Sequence, residues 1–184
     1  MTGRPFAPSV PTRYSALVRA MHWLGFLAVV ASYTLINLRG LAERGSALRS
    51  DLMQWHMLTG LIVLLLLVPR LIGRATSATP PVLPPPARWS DAVAKLTHLA
   101  LYAFLLLQPL IGILLVQYGG HDVVLPGLDL ALPRLVAENH ALKEALEETH
   151  EVIGTVFYFV IGAHILAALW HHFLLRDNTL QRMR

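Results

Sequence analysis

The chain has 184 residues, 55% of them hydrophobic and only 14% charged, and its mean hydropathy is +0.54. A soluble domain carries about 25% charged residues, so this composition excludes an ordinary water-soluble globule and points to lipid. The net charge of +4 reads as basic flanks of membrane spans rather than a nucleic-acid footprint, and the absence of cysteine excludes disulfides, thiolate zinc sites, cysteine-held iron–sulfur clusters and covalent c-type haem.

Four apolar stretches approach the ~20 residues needed to cross a bilayer. A spanning segment must satisfy its own backbone hydrogen bonds, so each is expected as a helix. The first runs over about 15–38 and follows Arg4, Arg13 and Arg19; its length and its polar His22 argue against a cleaved signal peptide. The second runs over about 51–73 and contains His56, with Pro69 late in the span. A Pro-rich connector, "ATSATPPVLPPPARWS", cannot be helical. Ser90 and Asp91 then look like the start of the third helix, about 90–117, which holds His98 and Pro109. The longest loop follows, and its second half, "ENHALKEALEETH", is rich in helix formers and is expected as an additional short acidic helix. The fourth span, about 149–175, holds His150, His164, His171 and His172.

The expected fold is therefore all-α: an integral membrane four-helix bundle forming a single domain over 1–184. The N-terminus, the connector and the C-terminus hold ten basic residues and the other two loops five. By the positive-inside rule both termini are expected to be cytoplasmic.

This topology sets histidine depths. His150 lies at the outer end of the fourth span, and His164, fourteen residues on, is roughly 21 Å deeper and within about 40° of the same face. His56 matches the level of His150, and His22 that of His164. Two cross-helix pairs result, His56/His150 outside and His22/His164 inside. A pair of neutral imidazoles from facing helices is what a six-coordinate haem b requires, and no cysteine is involved. Gly60 and Gly154 sit four residues after His56 and His150, and Gly25 three after His22, leaving room for a flat macrocycle. Two bland alternatives compete. Intramembrane histidines also bond neighbouring helices, and glycines also serve as packing spacers. A histidine-lined metal-ion path is a third possibility, but few intramembrane carboxylates accompany it.

His171 is a rival ligand, seven residues beyond His164. Choosing it would spread two irons about 31 Å apart, a whole hydrocarbon thickness, so the fourteen-residue pair is preferred. His171 and His172 then lie past the inner haem. With His98 they form a polar cluster suited to a quinone headgroup and its protons, or simply one solvated among lipid headgroups. His172 is left without a firm role. Haem propionates call for cations, and Arg19, Arg70 and Arg74 inside, and Arg39 and Arg49 outside, are available.

At these residues the chain resembles the bacterial cytochrome b561 family of di-haem inner-membrane proteins. "RYSALVRAMHWLGFL" is similar to the family's first helix, "LMQWHMLTGLIVLLLLVPRL" to its second, "THLALYAFLLLQPLIGILL" to its third, and "THEVIGTVFYFVIGAHILAALWHHFLLRDNTLQRM" to its fourth and tail. The resemblance places His22, His56, His150 and His164 as axial ligands of two b haems and associates His98 and His171 with the quinone end. Within the family the likeness is closest to the short superoxide oxidase type. It implies electron transfer from superoxide at the outer face to ubiquinone near the cytoplasmic side. The alternative is a cytochrome b anchor subunit, fed by a hydrogenase- or dehydrogenase-like partner; a homodimer is a further possibility. The outer loops, with nine acids against five bases, are an unexpected surface for an anionic substrate, which positive potential normally steers.

Overall fold

The structure is a computed structural model that describes residues 11–126 and 130–184; Arg4, one of the basic residues used for topology, lies outside them. Four helices run as α1 Ala16–Leu41, α2 Ala47–Thr76, α3 Arg88–Tyr118 and α4 His140–Trp170. Each is long and apolar enough to cross a membrane. Their large apolar side chains point outward, with Leu65 71% and Phe159 76% exposed. In water that surface would aggregate. Around a membrane bundle it is the lipid-facing surface.

Local chemistry sets the helix ends. Ser15, Ser46 and Asn139 each precede a helix and accept a backbone N–H from its first turn, those of Val18, Arg49 and Leu142. α3 departs from expectation. It begins at Arg88, two residues before Ser90, on Ala87, which makes no side-chain cap. Asp91 lies inside the first turn, pairing with Lys95 at 2.7 Å, where an acid complements the helix dipole. Pro69 and Pro109 are accommodated inside α2 and α3.

The separate acidic helix expected before the fourth span is corrected by the structure. Residues from His140 onward are continuous with the span in one helix of 31 residues. No glycine or proline interrupts the sequence from Asn139 through Ile153, so nothing ends the first turns before the apolar run begins. The loop before it instead contains a two-stranded antiparallel ribbon, Val124–Leu125 with Leu130–Ala131. Gln117, only 1% exposed, fastens this loop to the end of α3: its amide donates to the Pro133 carbonyl and accepts from the Leu135 N–H, both at 3.0 Å.

α1 packs on α2, α2 on α3, and α3 on α4. Gly73 makes the α1–α2 approach close, since a Cβ there would stand 2.9 Å from Val18 Cγ2. α1 and α4 meet at an aromatic seam. The Tyr33 and Tyr158 rings lie 4.2 Å apart, and the Tyr33 hydroxyl donates to the Gly154 carbonyl at 2.7 Å.

The two ends of the bundle differ. One carries the ribbon. At the other, the C-terminal tail laces the start of α1 to the connector. The Tyr14 N–H donates to the Arg182 carbonyl at 3.0 Å and the Trp23 indole to that of Met183 at 2.8 Å. Arg182 donates to Pro80 at 2.7 Å, and Asn178 exchanges hydrogen bonds with Pro81 and Leu83. Tyr14 lies between the guanidinium groups of Arg74 and Arg182, 5.0 and 5.6 Å from its ring centre.

Candidate functional site

The ribbon end of the bundle encloses a cavity of about 390 Å³, lined from all four helices by residues including Ser32, His56, Gly60, Gln108, Gly112 and His150. His56 and His150 face one another across it, with ring centroids 6.3 Å apart and planes at 85°. An iron held between them at about 2 Å from one nitrogen of each ring would separate the centroids by roughly 6 Å. The pair therefore has the spacing of two axial imidazoles.

Each ring is oriented for that task by its own surroundings. His56 Nδ1 lies 2.9 Å from the Ser32 carbonyl oxygen and 3.0 Å from its hydroxyl. A carbonyl only accepts, so Nδ1 carries the proton and Nε2 keeps a free lone pair. Gln108 anchors the backbone of the opposite helix, its amide donating to the His150 carbonyl at 2.8 Å. His150 Nδ1 and Gln108 Oε1 are buried with no protein partner.

The glycines divide into two kinds. A Cβ on Gly60 or Gly25 would meet no atom within 4 Å, so these helices are bare where a flat ring needs space. A Cβ on Gly112 would stand 3.2 Å from His150 Cε1, and one on Gly154 3.3 Å from the Gln108 amide nitrogen. Those two leave room for His150 and for Gln108, which anchors its backbone.

Toward the tail end lies the second histidine group. His164 packs edge-on against His98, centroids 5.6 Å apart at 75°, and His22 is within electrostatic reach of both and of Arg70. His22 Nδ1 is also buried without a partner. Between the two levels the rings of Phe104 and Phe157 stack 4.2 Å apart and nearly parallel, at 11°. Phe157 is seven residues from both His150 and His164, so it shares their face of α4 midway between them.

Residues expected at one site take different partners. His98 lies against His164, whereas His171 is held by Asp177 at 2.5 Å. His172 packs edge-on to Phe173, its Nδ1 unpartnered. Among the candidate propionate cations, Arg49 is already used, donating to the carbonyls of Arg39 and Ala42. Arg39 lines the cavity with its Nε unpartnered, and Arg19 and Arg70 also have a buried, unpartnered Nε at the tail end. Ser32, Gln108 and Asp177 were not among the residues singled out from sequence. A polar residue within an apolar span was the available signal for the first two.

The facing pair His56 and His150 and the space beside Gly60 fit a b-type haem at the ribbon end, whereas at the tail end the ring against His164 is that of His98, not the expected His22. A family model described as prokaryotic cytochrome b561 matches residues 13–184. The chain belongs to that family. Members of the cytochrome b561 family are membrane electron-transfer proteins that bind haem b. The chain is 34% identical over 171 residues to cytochrome b561 homolog 1 of Escherichia coli (strain K12), covering 93% of this chain and 96% of the relative. It is likewise 34% identical over 171 residues to the probable superoxide oxidase CybB of Yersinia pestis, covering 93% and 95%. Cytochrome b561 homolog 2 of E. coli (strain K12) is 26% identical over 175 residues, covering 95% and 93%.

Proposed function

We propose that this cytochrome b561 is a di-haem oxidoreductase of the bacterial inner membrane that takes electrons from superoxide at the outer face and delivers them to ubiquinone near the cytoplasmic side. The observation that carries the reading is the facing pair His56 and His150 at 6.3 Å in a cavity open to helix surfaces without side chains. His56 and His150 would hold the outer haem and His22 and His164 the inner one. When bound, these groups supply one-electron transfer across the hydrocarbon layer. The likeness to a protein named probable superoxide oxidase supports the donor.

The chain's own residues do the rest. Ser32 and Gln108 fix the outer ligands, and the apolar helices exclude water. Basic residues concentrate at the tail end, which supports a cytoplasmic position for both termini; the ribbon would then face outward. His98 and His171 are assigned to the quinone end. Two superoxide anions give two electrons and leave as dioxygen, and one quinone takes both electrons with two protons to become quinol.

A second reading is favoured by one observation: the start of α4 exposes Glu144, Glu148 and Glu151, an acidic surface suited to a basic electron-transfer partner. To separate the two, purified haem-loaded protein in detergent is mixed with superoxide and a soluble ubiquinone. Quinol formation that outpaces spontaneous dismutation supports superoxide as donor. Reduction no faster than that transfers the role to a protein partner. A visible spectrum lacking a reducible b-type signal would refute both.

A further inference from the structure

Asp177 is the residue at the tail end that none of this uses, and its surroundings are unusual in three ways. It is 6% exposed, in a tail otherwise at the surface. Its carboxylate has two oxygens with separate partners: Oδ2 accepts from His171 Nδ1 at 2.5 Å, and Oδ1 from the Thr179 N–H at 2.8 Å. The backbone that returns it to His171 is also irregular. After Trp170 the helix loosens into a π-helical turn over His171–Leu175, and Arg176 adopts the left-handed conformation with φ 54°. The N–H groups of Arg176 and Asp177 both donate to the His171 carbonyl. π turns concentrate at functional positions, and the left-handed conformation is strained for arginine where glycine would adopt it freely. The turn has one visible product. It folds an acid six residues away back onto the ring of His171.

Charge points the same way. The cationic and titratable groups gathered at this end include Tyr14, Arg19 and His22 before and on α1, Arg70 and Arg74 on α2, His98 on α3, His164 on α4, His172 in the π turn, and Arg176, Arg182 and Arg184 in the tail. Arg19 donates to the Arg184 carbonyl, Arg182 to that of Pro80 and Arg74 to the Thr79 hydroxyl. The Asp177 carboxylate instead takes His171 and the Thr179 amide. A buried carboxylate on Nδ1 selects the imidazole tautomer and stabilises the ring when it is charged, leaving Nε2 to exchange a proton.

We propose that Asp177 is a positioning residue that makes His171 the proton donor to the quinone, an inference that rests on the quinone reading above. The step balances as follows. Two electrons from two superoxide anions reach the quinone, and each of its carbonyl oxygens takes a proton. The Nε2–H bond of charged His171 breaks and an O–H bond forms on the quinone. The ring, now neutral, keeps Nδ1–H on Asp177 and regains its proton from cytoplasmic water, and the second quinone oxygen, on the far side of the ring, takes its proton from that water.

The test uses haem-loaded protein and follows two phases: haem reduction by superoxide, and haem reoxidation by soluble ubiquinone across pH. In Asp177→Asn, haem content and the reduction phase stay at wild-type level. Reoxidation slows about tenfold or more, within the range of general acid catalysis, and its pH profile changes. Asp177→Glu restores part of the rate. His171→Gln slows reoxidation similarly, and the double variant is no slower than the worse single one. Wild-type reoxidation with an unmoved profile in Asp177→Asn overturns the proposal, as do losses that multiply in the double variant. If Asp177→Asn accumulates without haem, the decision passes to His171→Gln and Asp177→Glu, for which unchanged pH profiles overturn it. Failure of the quinone reading is a separate result: wild-type protein that does not pass electrons to quinone at all.

Discussion

His56 and His150 face each other at right angles across the bundle, with ring centroids 6.3 Å apart. On the proposed ligation, replacing either by alanine removes one of the two axial ligands of the outer haem and leaves the other histidine group untouched. The expected outcome for His56→Ala or His150→Ala is a fall from about two haems per chain to about one, since haem iron here depends on paired imidazoles. A pyridine haemochrome assay of the purified protein checks it. Two haems retained in both variants would refute the pairing.

Gly112 lets His150 keep its position, because a Cβ there would stand 3.2 Å from the imidazole Cε1. Gly112→Ala therefore turns or displaces the ring without removing it. Disturbing the support of a metal ligand commonly costs about 10–100-fold in affinity. Haem retention at this site should fall by that order, measured by haem transfer to an apo-acceptor. Gly60→Ala, whose Cβ meets nothing within 4 Å, tests the same cavity through the macrocycle's space.

Arg39 and Arg49, ten residues apart at the ribbon end, have opposite employments. Arg49 Nη1 donates to two carbonyls at the end of α1, at 2.8 and 3.0 Å, whereas Arg39 lines the cavity with its Nε unpartnered. Arg39→Met should lower the reduction potential of one haem, because a nearby cation favours the reduced form. Arg49→Met should leave both potentials unchanged and lower thermal stability instead. A spectroscopic redox titration separates the two.

Gly73 and Val18 fix the closeness of α1 and α2. Val18 is 2% exposed and stands 2.9 Å from where a Gly73 Cβ would be, and its branched side chain has little freedom to turn. Gly73→Ala should destabilise the bundle by about 1–3 kcal/mol, and Val18→Ala in the same chain should recover much of that. Thermal unfolding in detergent reads both.

The tail has its own pH dependence. Burial pushes the Asp177 carboxyl upward, but the hydrogen bonds from His171 and Thr179 outweigh it and hold the group below its ordinary 3.8. A depressed carboxyl stabilises the folded tail above its unfolded pKa and loses that contribution as pH falls through the folded value. Hydrogen exchange at Thr179 should be flat in this respect near neutrality and rise in protection loss only below about pH 4. Asp177→Asn should abolish that acidic limb.

Much of this was legible in the sequence because lipid imposes a severe constraint: four apolar runs could only be helices, and charge around them favoured one orientation. The histidines stood out for the same reason, as polar residues in a medium that penalises them. What sequence did not disclose depended on geometry that neighbouring residues do not announce. The first turns of α4 were read as separate because they are acidic, yet polarity does not break a helix. The Val124–Leu125 ribbon has two-residue strands, too short for any periodic signal. Asp177 looked like a tail residue, and only the left-handed turn at Arg176, with no glycine to mark it, returns it to His171.

The stacked rings of Phe104 and Phe157 sit where α4 is midway between its two histidine levels, and Phe104 is 7% exposed. An electron can cross such a layer, whereas a proton needs hydrogen-bonding groups that two phenyl rings do not offer. On the proposed direction of transfer, negative charge then moves inward uncompensated, and the protons it meets come from the cytoplasm. Each electron works against an interior-negative membrane voltage, at about 2.3 kcal/mol per 100 mV for a full crossing. Turnover in sealed vesicles should therefore quicken when that voltage is collapsed by an ionophore, which would make this cytochrome responsive to how strongly the membrane is energised.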